Sequence, residues 1–215
     1  MEKSTNLSID GFNGNSLTIY DSDISYYGGS QHWFPKITHR LSGCAPVAAA
    51  NITAYLSQTF PEKYFPLYPY AGILTKDNFV KHMVEIRKHV IPGVFGLTSV
   101  KQFSDNLLAF TYQRGVSLVP YILDNNDASI GEAINFISQA LSQRLPVAIL
   151  VLKHPAKELK DYAWHWMTIT GLKLDPTDNS YSISVTTYGE CRQINLNLLW
   201  NHRRPQDFIR LAYFT

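Results

Sequence analysis

Residues 43–56 read GCAPVAAANITAYL, a stretch with almost no polar residue to turn toward water. The pattern predicts a helix over 44–58. Pro46 fits its first turn, where a missing N–H costs nothing. Ala48, Ala49 and Ala50 keep it slim, so that it can sit deep between other elements. One of the chain's two cysteines, Cys44, stands at the head of this helix, directly after Gly43.

Around that helix the chain changes character once. Residues 1–35 are polar and turn-rich, an irregular arm with one short strand at Leu17–Tyr20. Residues 60–72 carry three prolines and five aromatics and read as loop. Helices are expected over 76–90, with Phe79, Met83, Ile86 and Val90 on one face, and from a cap at Thr98 or Ser99 to Gly115. A further helix runs from a Ser129 cap, with Ile130, Ile134, Ile137 and Leu141 along one side. Residues 116–123 are extended. After Pro146 the signals are those of strands. PVAILVLK is a continuous apolar run, HWMTITGLKL follows, DPTDN is a turn, and YSISVTTYG alternates and pairs with the strand before it. LNLLWNHR reads as a short helix and FIRLAYF as the closing strand. Helices first and antiparallel strands last is the α+β signature. The expectation is one domain over 1–215, with a mostly helical lobe and arm over 1–145 and a β lobe over 146–215.

Composition removes several function classes. The formal charge is +2, and the basic residues are dispersed, with Arg87-Lys88 and Arg203-Arg204 the only adjacent pairs. No nucleic-acid stripe or membrane-binding face results, and no nucleic-acid or membrane partner is expected. No apolar run reaches the ~20 residues of a membrane helix, and the start lacks the apolar centre of a secretory signal, so a cytoplasmic protein is the default. Cys44 and Cys191 are too few for a disulfide scaffold and are read as reduced thiols. No glycine-rich phosphate loop and no histidine spacing of the HExxH kind occurs, so neither cofactor nor metal is expected.

Cys44 has the surroundings of a nucleophile. The first turn of a helix offers unpaired N–H groups and the positive end of the helix dipole, and both favour a thiolate. Gly43 allows close approach or a sharp turn just before it. A nucleophilic cysteine needs a base, and His165 stands apart from the other histidines because it lies in a strand, AWHWMTITG. Alternation turns it away from Trp164 and Trp166 and toward the side of Met167 and Ile169. The remaining histidines (His32, His39, His82, His89, His154, His202) fall in loops or on charged helix faces and read mostly as solvated.

Gly43-Cys44-x-Pro46 opening a helix that continues Ala48-Ala49-Ala50-Asn51, with His-Trp-Met-Thr-Ile-Thr-Gly far downstream, resembles the papain-like cysteine peptidase superfamily. Within it the chain is most similar to bacterial double-glycine leader peptidases and their relatives. The resemblance covers roughly 28–58 and 146–191. It implies a cysteine-headed central helix in a helical lobe, a histidine on a β lobe, and a cleft between them. The superfamily's third residue is usually Asn or Asp in Asn-Ser-Trp-Gly; this chain has Thr186-Thr187-Tyr188-Gly189, which puts Thr186 at that place. The oxyanion glutamine is displaced: the position six before Cys44 is Thr38, and Gln31 is the only upstream glutamine. The implied function is a cysteine peptidase or amidase on a peptide-like substrate, through a Cys44–His165 pair with Thr186 orienting the imidazole and Gln31 aiding the oxyanion. The alternatives are an acyltransferase, or a binding module on the same scaffold whose catalysis has decayed.

Overall fold

The computed structural model of the protein describes residues 6–9, 16–93, 96–125, 127–201 and 209–215. His202 and the Arg203-Arg204 pair fall outside these. The N-terminal arm supplies β1 (Asn6–Ser8), β2 (Thr18–Asp21) and β3 (Ile24–Tyr27), and then a 3-10 turn at Gln31–Trp33. Two helices follow, the short α1 (Ile37–Leu41) and α2 (Cys44–Thr59). The aromatic, proline-rich stretch expected as loop instead makes two single turns, α3 (Pro61–Tyr64) and a 3-10 turn at Phe65–Leu67, each with proline in its first turn. Next come β4 (Leu74–Thr75), α4 (Lys76–Arg87) and α5 (Val100–Gln113). Ser99 caps α5 by accepting from the Gln102 N–H. Beyond β5 (Pro120–Leu123), α6 (Ile130–Ser142) opens with a reciprocal Ser129–Glu132 capping box. The rest is β6 (Val147–Val151), β7 (His165–Asp175), β8 (Ser180–Thr187), β9 (Glu190–Asn195), α7 (Leu196–Asn201) and β10 (Ile209–Phe214).

Six of these strands lie in the order β5-β10-β6-β7-β8-β9, and β1 joins β7 as a seventh. All of the pairings are antiparallel. The continuously apolar β6 is buried along its whole length, as a central strand with both faces covered must be. The sheet draws β1 and β5 from outside 146–215. A separate small sheet, β3-β2-β4, belongs to the arm and the start of α4.

The helix that dominates the sequence dominates the core. Every residue of α2 from Ala45 to Ser57 is buried. Its few polar side chains are matched inside. Asn51 Oδ1 accepts from the Gly29 N–H at 2.8 Å, and Asn51 Nδ2 donates to Thr168 Oγ1 at 3.4 Å. One buried amide thus ties the arm, the central helix and β7 together, which removes the cost of an unpaired polar group in the core.

Two features of the sheet place the site. The ladder between β7 and β8 has its last pair at Thr168↔Thr186, so the strands part beyond it, over residues 165–167. The hairpin from β8 to β9 then closes through Tyr188 and Gly189, at φ +54° and +82°. Two positive φ values in a two-residue turn are the geometry that suits the twist of a β-hairpin. The arm is fastened to this tip: the Gly189 N–H donates to Gly29 O (3.1 Å), and the Tyr27 N–H donates to Gly189 O (2.8 Å). Gly28 makes the approach possible. Its φ is +74°, and a Cβ there would fall 2.0 Å from Thr186 Oγ1.

Candidate active site

Cys44 is the first residue of α2, with Gly43 as its N-cap. Gly43 is needed for close packing rather than for a left-handed turn. Its φ is −85°, and a Cβ would lie 2.6 Å from both His39 O and Phe34 Cε2. The head of α2 faces the opening between β7 and β8. Burial pushes the Cys44 thiol's pKa up; the nearby backbone N–H groups of Trp166, Ala45 and Cys44 itself, and the Arg87 guanidinium, pull the other way, and the net displacement is upward. The expectation that the helix start leaves a ready thiolate is therefore corrected: desolvation by the surrounding protein is the larger effect, and the resting sulfur is a thiol.

His165 is the first residue of β7 and is 5% exposed. Its Nε2 is hydrogen-bonded to Thr187 Oγ1 at 2.7 Å. The Tyr188 ring stacks on the imidazole, 4.8 Å between centroids at 12°, and His32 stacks on Tyr188 at 5.6 Å. Burial, then the Arg192 charge, lowers the His165 pKa to about 4, so the ring is neutral at pH 7. Thiol and imidazole are both uncharged at rest.

The threonine beside His165 is Thr187, and the assignment of that contact to Thr186 is corrected. Strand register gives the reason. Thr186 is the last residue of the ladder, paired with Thr168 three residues along from His165, and its side chain is engaged by the arm. Its hydroxyl donates to Tyr27 O at 2.5 Å and fastens the arm. The next residue, Thr187, falls on the face of His165.

Gln31 is brought to the same place. With Cys44, His165, Thr186, Thr187 and Asn51 it lines a cavity of about 10 Å³, roughly the space of one water molecule. Its Nε2 donates to Arg40 O at 2.8 Å, and its Oε1 is buried without a hydrogen-bond partner. On its other side Cys44 opens on a cleft of about 660 Å³, walled by Leu41, Arg87, Pro92 and Trp164 and by backbone at Gly93 and Gly96. Thr38 also lines this cleft. Cys44 thus borders a space that reaches the outside.

Sequence reasoning missed Thr187, Tyr188, Asn51 and Arg87. The lone amide on an otherwise small and apolar helix face was a usable signal for Asn51, because such a group needs buried partners. His82 is also corrected. Rather than solvated on a helix face, it is 1% exposed, bonded to Thr53 Oγ1 at 2.8 Å and packed edge-on against Tyr68.

No protein-family profile matches the chain. No curated protein matches it either. Among solved structures it is similar to UfSP from C. elegans, at 11% sequence identity and a TM-score of 0.50 over 93% of this chain. The chain spans 34% of the length of that structure. The mixed α+β architecture of the present chain, a helical part and an antiparallel sheet, resembles the papain-like fold of UfSP. That is the fold class which the Gly-Cys-helix and histidine-strand motifs imply. No helix among the described residues is long and apolar enough to cross a membrane.

Proposed function

We propose that the protein is a cysteine peptidase or amidase working through Cys44 and His165. One observation carries the reading. A helix-head cysteine and a buried histidine line one small cavity, and that cysteine also lines an open cleft. With Nε2 engaged by Thr187, Nδ1 is the ring nitrogen left for the sulfur. As a substrate carbonyl arrives, Nδ1 takes the thiol proton while sulfur bonds to the carbonyl carbon. The protonated imidazole passes that proton to the leaving amine as the C–N bond breaks. Water then attacks the thioester, giving its proton back through His165, and the acid and the free thiol are released.

The resting pair is neutral, so the proton moves during attack rather than before it. Thr187 holds the ring's orientation without contributing a charge, and Tyr188 keeps water from its face. Oxyanion stabilisation comes from the backbone at the head of α2. Gln31 joins if the second N–H of its NH2, the first being given to Arg40 O, reaches the substrate oxygen. Cleavage after a double glycine is the finer form of this reading; it rests on the Gly43-Cys44-x-Pro46 and His165 motifs alone.

The test is a pH profile of kcat/KM on a fluorogenic peptide. His165 protonates near pH 4 and can then no longer accept the thiol proton, so the folded protein is expected to keep kcat/KM level down to about pH 5, with circular dichroism at each pH separating this limb from acid unfolding. In the same assay Thr187→Val lowers kcat by roughly 5- to 100-fold, because a buried ring nitrogen loses its partner. An acid limb near 6.5 with a silent Thr187→Val contradicts the proposed geometry.

A second reading, a binding module on the same scaffold, is favoured by the upward displacement of the Cys44 pKa and by a hydroxyl standing where a carboxylate or amide serves better. It predicts peptide binding with no turnover at any pH.

A further inference from the structure

The cleft in front of Cys44 has a chemical bias that the proposed reaction does not use. Its walls are apolar side chains, hydroxyls and glycine backbone, and Arg87 is the one charged side chain among the described residues that line it. Arg87 ends α4. Its NH2 group donates to Ser42 Oγ at 3.2 Å and its NH1 group, weakly, to Ser42 O at 3.5 Å. The guanidinium lies 5.8 Å from the centre of the Phe34 ring. These contacts fix the plane of the group and occupy two of its five N–H donors. No ion pair among the described residues involves Arg87. A half-buried, oriented, unneutralised guanidinium in an otherwise uncharged groove is a receptor for a planar anion, and the fork that remains matches a carboxylate.

We infer that the cleft selects peptides that place a carboxylate on Arg87, next to the bond presented to Cys44. The carboxylate is either an Asp or Glu side chain or the free C-terminus of the peptide. Arg87 is a specificity residue: it binds the substrate and takes no part in proton transfer. The inference rests on the peptidase reading for its orientation, but the recognition it describes needs no turnover.

The experiment therefore measures binding to the Cys44→Ala protein. The probes are fluorescein-labelled, C-terminally amidated hexapeptides of Ala and Gly, with one Glu placed at each position in turn. Matched peptides carry Gln instead, and a third set carries Gln with a free C-terminal carboxyl. At one position the Glu peptide, or else the free-acid set, is expected to bind about 10- to 100-fold more tightly than its neutral match, the range of a charge-assisted hydrogen bond. An internal Glu preference names a side-chain carboxylate, and a free-acid preference names the chain end. Adding Arg87→Met abolishes the preference, and Arg87→Glu transfers it to peptides carrying Lys. Should Arg87→Met fail to fold, Arg87→Lys replaces it, with a partial loss expected because the charge stays and the fork goes. Equal binding of charged and neutral peptides, no binding of any, or a preference unchanged by the Arg87 substitutions overturns the inference. Discrimination by Cys44→Ala protein whose parent cleaves no peptide sinks the peptidase reading and leaves the carboxylate site standing.

Discussion

Cys44→Ala is expected to lower peptide turnover by about 10⁴-fold or more with the fold unchanged, while Cys191→Ala leaves turnover as it was. The contrast follows from placement. Cys191 lies on β9, exposed, and is paired across the ladder with Thr186. Cys44 lies at the head of a buried helix and lines both the small cavity with His165 and the open cleft. In the proposed mechanism, removing the sulfur removes the covalent intermediate, and the remaining donors offer only weak help to attack by water. The fold survives because Cys44 is not part of the fully buried run that follows it in α2. Steady-state rates on one fluorogenic peptide, with circular dichroism of each variant, check both halves.

The second large effect is a loss of stability in mild acid. His82 and His165 are both buried and neutral, with pKa values of about 3 and about 4. In the unfolded chain each returns to near 6.5. Below that value the unfolded state binds protons that the folded state refuses. Stability is thus unaffected above about pH 7 and falls as pH drops through 6.5 toward 4. At pH 4 each histidine contributes roughly 3 kcal/mol of destabilisation, and the two together approach the whole stability of an ordinary domain. His82→Phe is expected to remove about half of the pH dependence. The ring fits among Tyr68, Phe79 and Phe110, and the Thr53 hydroxyl keeps its bond to Ala49 O. Urea midpoints at pH 7 and pH 4 for parent and variant measure this. Equal midpoints for the parent at the two pH values contradict it.

How far the sequence carried these conclusions depended on whether a signal was local. The apolar helix behind Gly43-Cys44, the Ser129 cap and the buried β6 were readable because period, cap chemistry and strand burial are written in neighbouring residues. The α+β class followed from their order along the chain. Thr187 was not readable in this way. Choosing it over Thr186 needs the register of β7 on β8, and a shift of one residue moves a side chain to the other face. His82 was misjudged because α4 carries charged residues on either side of it, while its own side packs under α2 through Thr53. The state of the Cys44 thiol depends on a balance between burial and hydrogen bonding that involves β7, far away in the sequence. Arg87 and Cys44 meet only because α1 and α2 fold back on the end of α4, through Ser42.

Intact-mass analysis of the protein after brief treatment with a peptide vinyl ester at pH 7 tests the pairing of sulfur and imidazole most directly. The account predicts a single adduct on Cys44, formed at least about 100-fold more slowly in His165→Ala, with Cys191 unmodified. An adduct that forms at the same rate without His165, or that appears on Cys191 alone, contradicts it.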